Sequence, residues 1–234
     1  LNSNVIGTAN LLEAVKELKN NSGYDPIVHI CSSSEVYGQV TKDEVPIKET
    51  NSLRPASPYA VSKVAVDMLG FQYWLSWKIK TIRSRMFTHT GPRRGEVFAL
   101  SNFAKQVAAI EAGRQEPIVR VGNLDSVRTW MDVRDAVKAY WLMVEKCPSG
   151  EVYNIGGTET MTIGEMLKKL LSFSTRKDIK VEIDPARLRP SDVTLQIPSV
   201  EKFKKATGWE SKIPFDKTVL DTLNHWREFF VRHK

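Results

Sequence analysis

Cysteine is nearly absent from this sequence: Cys31 and Cys147 are the only two in 234 residues, and they share no metal-like spacing. That excludes a disulfide-stapled secreted scaffold and makes a reduced, cytoplasmic protein the expectation. Long apolar runs are missing as well. No stretch approaches the ~18 residues that a membrane-crossing helix needs, and no charged-then-apolar leader of the secretory kind is visible. Glycine is thin at 13 residues, and nowhere falls into the Gly-x-Gly-x-x-Gly spacing that lets backbone amides approach a pyrophosphate. Neither an internal repeat nor a low-complexity tract occurs.

What is present suits a globular α/β protein. A 41% hydrophobic content over this length can bury the core of one large or two small domains. The net charge is +7, from 34 basic and 27 acidic residues. The basic residues are scattered among acids rather than massed. This favours a basic pocket for a diphosphate ligand over a nucleic-acid surface, with nucleic acid as the minor alternative.

The chain is organised around Ser57-Pro58-Tyr59-Ala60-Val61-Ser62-Lys63. Pro58 suits a first helical turn, where its missing N–H is no loss, and the apolar run from Val64 to Trp74 continues with helical spacing. Tyr59 and Lys63 then project from one helix face. An ammonium near a phenol favours the phenolate and makes the tyrosine a usable proton donor and acceptor. On its own such a pair is as often a packed tyrosine beside a solvated lysine. Its context is a strand-like run, Pro26 to Cys31, that ends in Ser32-Ser33-Ser34-Glu35-Val36-Tyr37-Gly38, at the kind of strand end where open α/β sheets place their chemistry.

Other elements read in order. A helix starts almost at the first residue, with Val5, Leu11, Leu12 and Val15 as its apolar positions, and stops at the Asn20-Asn21-Ser22-Gly23 turn. Lys80 to Phe87 alternates as a strand, and Thr88 to Gly95 turns the chain out of the sheet. Helices are expected over 98–112, 132–146, 163–173 and 217–230. Strands are expected over 117–121, 150–157 and 179–183.

A serine cluster closing a strand, then Tyr37-Gly38, then Ser-Pro-Tyr-Ala-x-Ser-Lys, together resemble the extended short-chain dehydrogenase/reductase family, and within it the nucleotide-sugar epimerases and dehydratases. The resemblance covers essentially the whole chain. It implies a Rossmann-like, doubly wound parallel α/β sheet, N-terminally incomplete, with a smaller α/β substrate lobe. Residues 1–90 and 125–160 would belong to the cofactor domain, and 91–124 and 161–234 to the lobe. It further implies that a front βαβαβ unit lies upstream, bearing the glycine loop and the choice between NADP and NAD, and that residues 1–234 alone are inactive.

Roles follow from the same resemblance. Ser33 matches the residue that hydrogen-bonds the sugar C4 oxygen, and Tyr59 the acid/base acting there. Lys63 matches the residue that holds the nicotinamide ribose, and His89 falls on the cofactor side. Glu35 matches the acid that removes the C5 proton in dehydratases; Ser33 stands where those enzymes more often carry threonine. Phe87 to Gly95 resembles Phe-Asn-His-x-x-Pro-Arg-Arg-Gly of the GDP-mannose branch, with Thr88 replacing asparagine. Val121 to Arg128 resembles that branch's Gly-Asn-Leu-x-x-x-Arg, and Arg187 to Val193 its Arg-Pro-x-Glu/Asp-Val. Ser34, Thr88, Arg94, Arg120, Arg128, Arg189 and Asp192 are thereby implied to bind substrate, arginine being suited to bidentate contacts with oxyanions. Asp135 is read as structural, and no metal ligands are expected.

Three readings remain: an NADP-dependent GDP-mannose 4,6-dehydratase, the sister reductase of a GDP-4-keto-6-deoxyhexose, and a non-catalytic nucleotide-binding or interaction module. The family pattern also implies a homodimer or homotetramer, built on the catalytic helix and the long helix before it.

Overall fold

The computed structural model describes residues 1–188 and 194–233. A π-helical turn, Asn2–Ile6, runs straight into α1 (Gly7–Ser22), which ends where Gly23 turns left-handed at φ 71°. Strand β1 (Val28–Cys31) follows, and after a long loop comes α2 (Pro58–Trp77). The hydroxyl of Ser57 accepts from the Ala60 amide at 3.1 Å and Pro58 opens the first turn, so the start of α2 is set by its own sequence.

Strand β2 (Thr81–Met86) is buried along its whole length. It pairs in parallel with β1 on one side and with β6 (Val152–Ile155) on the other. One face of this sheet packs on α1 and α2 through Leu12, Val15, Ile30, Val66 and Tyr73. The other packs on α4 (Val133–Lys146) and α6 (Glu201–Thr207) through Ile82, Met86, Ala139, Met143 and Phe203. Parallel strands with helices on both faces are the doubly wound arrangement that the family resemblance implies.

The alternation of β2 has an unusual content. Ile82 and Met86 join the α4 side, whereas Arg83 and Arg85 turn towards α2. There Asp67, fully buried, accepts from Arg83 Nη1 at 3.1 Å and from Arg85 Nε at 2.8 Å. A buried carboxylate needs such partners, and removing one side of such a cluster costs roughly 3–5 kcal/mol.

A second layer is built on β5 (Val127–Asp132), which pairs in parallel with β3 (His89–Thr90) and β9 (Leu195–Gln196), and antiparallel with β7 (Glu159–Thr162). Beside it, β4 (Ile118–Val121) pairs in parallel with β8 (Lys180–Ile183). Their core, including Phe103, Val107, Val121, Leu167, Leu170 and Val219, is closed by α3 (Ala99–Glu111), α5 (Ile163–Ser172) and α7 (Phe215–Arg232). Strands β3, β5, β7 and β9 and helix α6 are additions to the sequence reading. The segment carrying Phe203 and Trp209 packs on the first sheet's core, although it falls within the range grouped with the lobe. Among the described residues no helix is long and apolar enough to cross a membrane.

Candidate active site

The carboxyl end of β1 delivers the serine cluster to a cleft of about 1010 Å³ between the two layers. Ser33 is extended and its Oγ accepts the Glu35 amide at 3.2 Å, capping the short turn Ser34–Tyr37. Because that oxygen is used as an acceptor, its O–H remains to donate. Tyr37 fastens the turn to the sheet from below, its hydroxyl donating to Asn154 Oδ1 at 2.7 Å and accepting from Arg85 Nη1 at 3.0 Å. Burial pushes the Tyr37 phenol up to about 12, so it stays a neutral strut. The exit from the turn needs Gly38, whose φ is 61° and where a Cβ would lie 1.7 Å from the Arg54 carbonyl oxygen.

Helix α2 supplies the other wall. Tyr59 is half exposed, and the Lys63 ammonium lies 5.7 Å from its ring centroid while donating to the Cys31 carbonyl at 2.8 Å. The structure gathers Ser33, Ser34, Glu35, Tyr59, Lys63, Thr88, His89, Arg94 and Arg128 around this one cleft. Arg120 is not among its lining: it is half-buried on β4 and pairs with Glu116 four residues earlier. Arg189 and Asp192 lie outside the described residues.

The electrostatics favour an anionic guest. Arg94 stacks 3.6 Å over the Phe98 ring, its buried Nε lacks a partner among the described residues, and it is close enough to Tyr59 to interact electrostatically. His89 bonds the Phe87 carbonyl through Nδ1 at 3.1 Å; a carbonyl only accepts, so that nitrogen carries the proton. Burial, reinforced by Arg94, holds the His89 imidazole below its usual range and therefore neutral.

A family model described as GDP-mannose 4,6 dehydratase matches residues 1–222. The chain belongs to that family. Similar proteins include one from Pseudomonas aeruginosa named GDP-6-deoxy-D-mannose reductase, 31% identical over 97% of this chain and 73% of its own length. Another, from Vibrio cholerae, is named GDP-mannose 4,6-dehydratase; it is 30% identical over 93% of this chain, which spans 64% of it. Among solved structures, that of RMD from Pseudomonas aeruginosa complexed with NADPH superposes with a TM-score of 0.89 at 29% identity, over 97% of this chain and 73% of that one.

In this member of the GDP-mannose 4,6 dehydratase family the cleft also holds residues that sequence reading passed over. Tyr140 of α4 lines it beside His29, their rings 4.8 Å apart, and His29 Nε2 meets Ser84 Oγ at 2.8 Å. Burial draws the His29 imidazole down to about 4. Arg187 lines the lobe side and donates to Asn102 at 2.9 Å. Gln196 enters from β9. Arg187 opens the segment that resembles Arg-Pro-x-Glu/Asp-Val, but the other two have no local signal: Tyr140 occupies an ordinary helix position, and Gln196 lies in a two-residue strand.

Proposed function

We propose that this chain carries the sugar-binding and proton-transfer machinery of an NAD(P)-dependent nucleotide-sugar enzyme, a GDP-mannose 4,6-dehydratase. The observation that supports this most is the convergence of Ser33, Glu35 and Tyr59 on one cleft with Lys63 beside them. Tyr59 and Lys63 present a hydroxyl and an ammonium suited to a nicotinamide ribose, with neutral His89 nearby. The pyrophosphate cradle has no counterpart in this sequence. The cofactor, when bound, accepts a hydride and returns it.

The residues divide the remaining work. Ser33 donates to the C4 oxygen while Tyr59 takes the hydroxyl proton as C4 becomes a ketone. The new ketone acidifies the C5 proton, which Glu35 removes and passes to the C6 hydroxyl as it departs as water. The hydride returns to C6 and Tyr59 returns its proton at C5, so the tyrosine and glutamate end as they began. Arg94, Arg128 and Arg187 line the side where a diphosphate would lie.

The likeness to a reductase favours a second reading, in which Tyr59 only donates its proton to a 4-keto group. Cofactor turnover separates the two. With the complete gene product, conversion of GDP-mannose without net NADPH consumption is expected. Stoichiometric consumption with the 4-keto sugar alone would establish the reductase instead. Tyr59→Phe is expected to lower kcat by about 10²–10⁴ without shifting the melting temperature.

Exposed apolar residues seven apart support the proposed homodimer: Leu11 and Leu18 on α1, and Val61, Met68 and Leu75 on α2. Such spacing makes a stripe that a second copy can cover.

A further inference from the structure

The geometry points to Gln196 as the positioning residue for Glu35, an inference that rests on the dehydratase reading. Its Nε2–H donates to Glu35 Oε1 at 3.2 Å, and its Oε1 accepts from Ser34 Oγ at 3.1 Å. One amide thus grips two neighbouring residues of the serine-cluster turn from the far end of the chain. The amide can sit only this way round, because the flipped orientation would set its carbonyl oxygen against the carboxylate.

Three further observations make the grip a built one. Gln196 is 2% exposed and Ser34 4%, so water does not compete for these bonds. The backbone under Gln196 is held on both sides. It sits opposite Arg128 on β5, and the adjoining Ile197 carbonyl accepts the Ile47 amide at 2.8 Å. Finally, Glu35 lines the cleft, and its second oxygen, Oε2, has no hydrogen-bond partner among the described residues. One carboxylate oxygen is anchored and the other is presented. A base so held has few orientations to search, and a displacement of the order of 1 Å from such a pose can lower a rate about 100-fold.

Gln196→Met keeps length and volume and removes both bonds; Gln196→Glu keeps the bond to Ser34 and opposes Glu35 with a like charge. In the complete gene product, both are expected to leave the KM for GDP-mannose and the initial appearance of reduced cofactor from C4 oxidation within twofold of the unmodified protein. Both are expected to lower kcat between tenfold and 100-fold, because elimination lags and reduced cofactor accumulates. Combined with Glu35→Gln, Gln196→Met is expected to add nothing. A multiplied loss, or C4 oxidation slowing in step with kcat, would overturn the role. If GDP-mannose is not converted, or Glu35→Gln leaves conversion untouched, the dehydratase reading fails. The grip is then judged by urea unfolding of the two single variants and the double variant: non-additive effects uphold it, and additive ones overturn it.

Discussion

Gly38 is the residue on which the geometry of the cleft most depends. Its backbone, at φ 61° and ψ −139°, lies in a region that side-chain-bearing residues avoid, and a Cβ would drive into the Arg54 carbonyl at 1.7 Å. Gly38→Ala is therefore expected to destabilise the fold by about 3 kcal/mol or more and to displace the turn that holds Ser33 and Glu35. Gly95 has open space around it and an ordinary backbone, so Gly95→Ala should leave the urea midpoint unchanged and serves as the control. Residue by residue, legibility followed the range of the interactions. Ser57 and Pro58 act within one turn, and their helix start was readable. Arg120 was readable too, had alternation been applied: Val119 and Val121 point into the core, which turns the arginine between them to the opposite face. Gln196 was not, since its partners Ser34 and Glu35 are more than 160 positions away.

At the level of elements, the helices and the longer strands announced themselves by period, whereas β3 and β9 have two residues each and exist only by pairing with β5. Helix α2 is apolar nearly all round, which indicated burial but did not say which side faces the sheet. The structure resolves it: Val66, Gly70 and Tyr73 face inward and Val61, Met68 and Leu75 outward. The outward row is the surface assigned to a second copy. Met68→Glu is expected to convert a sedimenting dimer into a monomer while leaving the unfolding of the monomer unaltered. A dimer that persists would remove α2 from the interface.

Across the whole molecule, distant parts of the lobe are tied by a few half-buried charges. Glu111 at the end of α3 takes two bonds from Arg227 of α7, at 2.7 and 2.8 Å, and further ones from Ser174 Oγ and the Thr175 amide. Burial alone would raise the Glu111 carboxyl, but Arg227 and these donors together hold it down to about 2. A carboxylate with a depressed value stabilises the fold at any pH above its ordinary value, and that contribution fades as pH falls from about 4.5 to about 2. Glu111→Gln should thus lose about 3 kcal/mol at pH 7 and markedly less at pH 3, as read by urea unfolding at both. The attachment of α2 has a different consequence. The helix meets the sheet so closely at Gly70 that a Cβ would lie 2.8 Å from Ile30, Thr81 Oγ1 donates to the Gly70 carbonyl at 2.6 Å, and Asp67 is locked to two strand arginines. The wall bearing Tyr59 and Lys63 is in effect a fixed anvil, so any tightening around a guest in the cleft falls to the facing wall, where Arg94, Phe98 and Arg187 stand.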